Sequence, residues 1–251
     1  MNLEKFYFPV TEQDIALADN PMPDHWKISG YKAIVSPQDN APDKVISVVK
    51  DSYKLIPNSE LIEPFLDQVS NLHVRWKIDA SHSFCEWNRM RLQVTFPDIL
   101  VKDEESEIPL SLYLHNSYDQ TEGVRLFWGA IRAVCSNGIV FGTLLGSFYS
   151  RHTQGFTFKN IHTQFDRATE KIGDVHDRIT HLRNSPVNEP LIEDLQRTLG
   201  KRRLAEIIQT DRLPDASQWH LLNVITHHIS NQVEKPKRGD LQLGVSKVFE
   251  L

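Results

Sequence analysis

Through the middle of the chain, cationic and aromatic side chains fall at every second position. His73, Arg75 and Lys77 are followed by Arg89, Arg91 and Gln93, then by Ser111, Tyr113 and His115, and finally by Arg125 and Phe127. Successive side chains of a strand point to opposite faces, so this spacing gathers each set on one side. Cations beside aromatic rings suit single-stranded nucleic acid, because the charges follow phosphates while the rings accept stacked bases. On that pattern Arg75, Lys77, Arg89, Arg91 and Arg125 would meet phosphates, Tyr113 and Phe127 would stack bases, and His115 would stand among them. Asp79 is the one acid in the set. The competing expectation is a helix laid over the same face, with Asp166, Glu170, Asp174 and Asp177 pairing with the arginines.

Other chemistry-bearing residues assemble less well. His220, His227 and His228 share one predicted helix, but the first two stand about 10 Å apart along it, too far for one metal ion. The carboxylate stripe Asp166–Asp177 has magnesium-binding spacing, yet Arg167, Lys171 and Arg178 beside it describe a solvated face equally well. Cys135 is a candidate nucleophile with His115 or His152 as base, although Ala133 and Val134 imply a buried and inert thiol. The sequence holds no Gly-x-Ser-x-Gly elbow, and Gly142-Thr143-Leu144-Leu145-Gly146 lacks the Lys and Ser/Thr of a phosphate loop. No metal or cofactor is expected, and binding is favoured over catalysis. A hydrolase using His152 or the carboxylate stripe is the enzymatic reading left open.

The elements that must position these residues can be read from hydrophobic period. Tyr31–Ser36 and Lys44–Val49 are β-rich runs around a turn dense in Pro, Asn and Asp. Asn58 or Ser59 opens a helix with Leu61, Ile62, Phe65 and Val69 on one face. Period-two alternation over Leu72–Ile78, Asn88–Phe96, Leu110–His115 and Val124–Trp128 predicts half-buried antiparallel strands. From about Thr157 the period turns helical: Ile161, Phe165, Ala168, Ile172, Val175, Ile179 and Leu182 form a seam over one long helix. Three further helices are expected before Val233, and Glu234–Leu251 reads as a linker with a final strand. The fold class is therefore α+β, a curved antiparallel sheet with an N-terminal helix and a C-terminal helical region packed on it. A mainly β core over 1–156 and a helical region over 157–251 make up the chain.

With 251 residues, 12 Phe and 5 Trp, the chain can fill a sizeable core. A net charge of -5 argues against a basic double-stranded DNA binder and moves attention to local patches. Two cysteines, acids among the first residues and no long uncharged apolar run point to a reduced, cytoplasmic setting without membrane contact.

One run carries a resemblance. Leu110 to Asp119, then Gly123 to Gly138, contain Asn116-Ser117-x-Asp119 followed by Arg132-x-Val134-Cys135-x-Asn137. This pattern resembles the phage/plasmid-like proteins of domain-of-unknown-function family 932. Arg151-His152-Thr153, Asp51-x-Tyr53-Lys54 and Asn223-x-x-Thr226 look like further shared elements. The last departs from the family in reading Thr226-His227-His228, where an acidic and an aromatic residue are expected. The resemblance implies a mobile-element setting. Single-stranded DNA or RNA is then the first candidate partner, a host protein blocked or recruited without catalysis the second, and a homo-oligomer is also open. Physically, Asn116, Ser117 and Asp119 suit a tight turn and Asn137-Gly138 a hairpin. Arg132 on an apolar strand calls for an anionic partner, with Asp119 as the first candidate and a ligand as the second.

Overall fold

The computed structural model describes residues 3–7, 9–16, 27–38, 41–86, 88–103, 106–120, 122–132, 137–152, 161–211 and 217–251. Cys135 lies outside them, with Ala133, Val134 and Thr153, as do the side chains of Arg132 and Asn137.

The alternation in the sequence becomes register in a seven-stranded antiparallel sheet. Its strands are β4 (Lys77–Ile78), β5 (Phe84–Glu86), β6 (Arg89–Asp103), β7 (Ser106–Ser117), β8 (Val124–Arg132), β9 (Asn137–Val140) and β10 (Ser147–Ser150). The order is β10-β8-β7-β6-β4, with β5 also on β6 and β9 also on β8. Leu92 pairs with Leu114, Val94 with Leu112, Leu112 with Trp128 and Leu114 with Leu126, so one face is apolar throughout. A register shift between Phe96 and Leu100 accommodates Pro97, which has no N–H for the ladder. Ahead of this sheet, β1 (Thr11–Ala16), β2 (Lys27–Ser36) and β3 (Lys44–Lys50) form a separate three-stranded meander.

Helices cover the apolar face. Phe65 and Val69 of α1 (Asn58–Ser70), Phe165 and Ala168 of α2 (Ile161–Glu170), and Val175, Ile179 and Leu182 of α3 (Ile172–Asn184) join the strand residues in one buried core. Phe96, Trp128 and Phe165 meet there with ring centroids 5.3–5.9 Å apart. Burying each such side chain contributes about 1.5–3 kcal/mol. Then come α4 (Glu189–Leu199), α5 (Lys201–Asp211), α6 (Gln218–Gln232) and α7 (Lys235–Val248). Residues from both sides of position 156 thus share this core.

The molecule is α+β, as its period changes indicate, with three local departures. The expected strand from Leu72 shrinks to Lys77–Ile78, because His73 adopts a φ of 56°, which ends extension. The expected long helix breaks at Lys171 into α2 and α3, and its seam from Phe165 to Leu182 packs in the core. The tail is the helix α7, with Leu241, Val245 and Val248 four and three apart on the side that joins the core. Leu110 stands opposite Ala130, so Arg132 lies at the far end of β7 from Ser117. The expected Arg132–Asp119 pair rests on a side chain outside the described residues.

Candidate nucleic-acid interface

Register does bring the candidate residues together. Arg91 stands opposite His115, which stands opposite Arg125; Gln93 stands opposite Tyr113, which stands opposite Phe127. Lys77 and Ser111 both flank Thr95, and Arg89 pairs with Ser117 at the end of the same surface. Arg75 is not part of it: it sits outside the strands in an exposed ion pair with Asp98.

The expectation of an open platform fails on burial. Tyr113 is 0%, Phe127 1%, His115 3% and Arg91 4% exposed, so none presents a free surface. The cover is the first half of α7, and the acids of α2 and α3 play no part, since those helices pack on the opposite face and Asp166, Glu170, Asp174 and Asp177 face solvent. Arg91 Nη1 donates to Gln242 Oε1 at 2.9 Å, and Arg125 Nη1 meets Asp240 Oδ1 at 2.8 Å. Gly239 lies so close to His115 that a Cβ there would stand 2.4 Å from the imidazole Cε1. Tyr113 and Phe127, far from awaiting bases, stack on each other at 5.0 Å, with Arg91 4.3 Å above the Tyr113 ring and Leu243 against the pair. Two large aromatic rings on a sheet face gain more from a helix than from water.

This covered layer is polar at its centre. Gln93, Thr95 and Ser111 bond to one another across β6 and β7 at 3.1–3.3 Å. Burial lowers the basicity of His115, aided by the Arg91 and Arg125 charges and opposed by Glu122. Burial also pushes the Tyr113 hydroxyl up to about 12, against the pull of Arg91. Glu122 is itself buried, which raises its pKa, yet His115, Arg125 and Arg89 outweigh that and hold it below the ordinary carboxylate value. Its oxygens lie 3.6 Å from His115 Nδ1 and 3.7 Å from Arg125 Nη1. Four buried atoms, Arg91 Nε, Gln93 Oε1, Tyr113 Oη and His115 Nε2, make no hydrogen bond of regular geometry, although the Tyr113 hydroxyl stands close enough to Arg91 and Ser111 to interact with them. Each such atom costs about 1–3 kcal/mol. Among the described residues no carboxylate lies within ion-pair distance of Arg91.

The face reaches solvent at its β10 margin. There a groove of about 320 Å³ opens between α7 and the β8–β10 edge, lined by Arg125, Phe127, Ser147, Tyr149, Asp240 and Lys247 among others. Tyr149 is 51% exposed, and the Arg125 guanidinium lies 5.3 Å from its ring centroid. Neither Tyr149 nor Lys247 was flagged by the strand pattern, because Lys247 arrives from a helix and Tyr149 from a short edge strand.

Of the motif residues, Asn116, Ser117, Asp119, Arg151 and His152 gather at one end of the sheet, while Arg132 and Asn137 pair at the other. Asn116 donates to Ile56 O and Asn58 Oδ1, tying β7 to the start of α1. Ser117 Oγ and the Glu122 backbone bond in both directions, closing the turn that presents Glu122. Asp119 accepts from Asn88 Nδ2 at 2.6 Å and from Arg89 Nε at 3.0 Å. His152 stacks on Tyr53 at 4.8 Å, its Nδ1 3.2 Å from Lys54 O, so the Asp51–Lys54 and Arg151–His152 elements touch. Arg151 is exposed beside them. Gly123 lets β8 begin against β10, since a Cβ would fall 2.1 Å from Ser150 O. Segments far apart in sequence are thus held in one packed corner, and a family model described as a domain of unknown function (DUF932) matches residues 45–240, spanning all of them. The chain belongs to that family. No curated protein and no solved structure matches it. In this DUF932 chain Asn116 ties β7 to the start of α1, Ser117 closes the turn that carries Glu122, and Asp119 holds Asn88 and Arg89. His227 stands exposed and His228 half-buried on α6, where Thr226 bonds to Leu222 O within the helix. Among the described residues no group of three or more His, Cys, Asp or Glu side chains is placed to hold a metal ion. No described helix is long and apolar enough to cross a membrane.

Proposed function

We infer that this protein binds single-stranded nucleic acid along the groove between α7 and β10, in DNA processing on a mobile element. The observation that carries the reading is the half-exposed Tyr149 ring beside the Arg125 guanidinium, in a groove of about 320 Å³ that Lys247 also lines. A ring of this kind stacks a base, while the two cations reach the phosphates on either side. The volume falls at the lower end of ordinary ligand sites, which fits a single nucleotide unit. A net charge of -5 makes local cations, rather than the general field, the source of affinity. The mobile-element setting comes from the family resemblance alone.

Anisotropy of a fluorescein-labelled oligothymidylate tests the reading. Binding at low salt should weaken at least tenfold in Tyr149→Ala combined with Lys247→Gln, since each stacked base contributes about 1–3 kcal/mol. Absence of binding by the unmodified chain at low salt would overturn it. A second reading, a module that docks a host protein without catalysis, is favoured by Tyr31, Val45 and Val48, exposed on one face of the β2–β3 pair. Capture of one host protein that is lost in Tyr31→Ser with Val48→Ser would support it over the groove.

A further inference from the structure

The contact between α7 and the sheet is built unlike the apolar core on the other side. Both arginines beneath it are met by oxygen acceptors of the helix, Gln242 Oε1 on Arg91 and Asp240 Oδ1 on Arg125. Alongside, the four polar atoms without a regular hydrogen bond belong to two adjacent cross-strand pairs, Arg91 with His115 and Gln93 with Tyr113. Folded proteins leave few buried polar groups unmatched, and four in one block indicate a surface shaped for something other than its present cover. Two of these atoms, Arg91 Nε and Tyr113 Oη, are donors, and His115 Nε2 becomes one when the imidazole is protonated.

We propose that this block is a phosphate-binding subsite continuing inward from the groove, and that α7 occupies it with Asp240 and Gln242 standing in for phosphodiester oxygens. The assignment rests on the reading of the groove as a nucleic-acid site. A carboxylate and a phosphate offer an arginine the same paired, charge-assisted acceptors, so Asp240 competes directly with a strand for Arg125. Arg125 lines the groove and belongs to the covered layer, so an incoming phosphate meets it first. Once Asp240 is displaced, the seat still includes the Gln242–Arg91 bond, the Gly239–His115 contact, Leu243 on the aromatic pair and Leu241 at the margin of the apolar core. The second half of α7 stays in place, because Val245 is fully buried in the apolar core. The moving part is therefore the stretch before Gly244, and its release exposes Arg91, Tyr113 and His115 to the strand.

The full chain, Asp240→Asn and Gly239→Ala are titrated with the same labelled oligothymidylate over a range of salt, with amide exchange of α7 followed in parallel. Asp240→Asn keeps the side chain's shape and removes its charge. It should bind about tenfold tighter, and the salt dependence should steepen by about 0.7 in log–log slope for each phosphate gained. Exchange in residues 237–243 should quicken when oligonucleotide binds. Gly239→Ala loosens the same seat by steric pressure on His115 and should also tighten binding; a melting curve shows whether it folds, and Asp240→Asn decides alone if it does not. Equal affinity and equal slope for the wild type and Asp240→Asn, with exchange in α7 unchanged, would overturn the subsite and leave the groove standing. No binding by any of the three would overturn both.

Discussion

At the scale of single residues, the buried imidazoles make the fold sensitive to acid. His115 is held below its ordinary value of 6.5 by burial and by Arg91 and Arg125, with Glu122 opposing. Burial also lowers His152, against its hydrogen bond to Lys54 O. The unfolded chain therefore binds more protons than the folded one once pH falls below 6.5, so stability is complete above that value and is lost progressively beneath it. The urea midpoint should drop between about pH 7.5 and pH 5.5, and His115→Gln with His152→Gln should flatten that drop. An equally steep profile in the double variant would place the acid sensitivity elsewhere. From Lys77 onward, which side chains share the sheet face was legible from a period of two, whereas His73 and Arg75 lie outside the strands. Glu122 was not legible, because it sits in a polar turn where acids are ordinary. Its importance comes from the Ser117 bonds that fold the turn back onto His115.

At the scale of elements, two helical glycines have opposite roles. In α3 a Cβ at Gly173 would meet nothing within 4 Å, whereas in α7 one at Gly239 would collide with the His115 ring. Alanine is favoured over glycine in a helix by about 0.8–1 kcal/mol, so Gly173→Ala should raise the Tm. Gly239→Ala gains the same propensity but must push either α7 or His115 aside, and overpacking of that kind costs about 1–3 kcal/mol. Its Tm should fall, and a rise in both variants would show that α7 does not press on the sheet as described. The strands β6 to β8 and helix α1 were readable because their apolar faces repeat cleanly. Helix α7 was not: Leu241, Leu243 and Val245 alternate like a strand, and two interior glycines weaken the helical signal. Tertiary packing decides it, with Val245 turned into the core and Leu243 onto Tyr113 and Phe127. The same misreading hid what covers the basic face, since a linker and strand would have left it open.

At the scale of the whole molecule, the change of period near residue 157 marks a change of architecture without a change of core. A β unit over 1–156 and a helical unit over 157–251 would each need their own buried cluster to unfold separately. Instead Trp128 of β8 packs on Phe165 of α2, and Trp219 and Ile225 of α6 lie in the cluster that holds Leu92 and Leu114. The other face is joined as well, through Asp240–Arg125 and Gln242–Arg91. Helices therefore grip the sheet from both sides, and removing them would uncover Leu126 and Trp128 on one face and Phe127 and Tyr113 on the other. Unfolding in urea should be a single cooperative transition, with helix loss by circular dichroism and the change in Trp fluorescence superimposed. Fluorescence reports on β8 through Trp128 and on α6 through Trp219, so it samples sheet and helices together. Two resolved transitions, with helical signal lost first and Trp128 still buried, would mean that the strands hold a core of their own. In that case α7 would leave the sheet with its whole helical region, rather than by the local release of its first half.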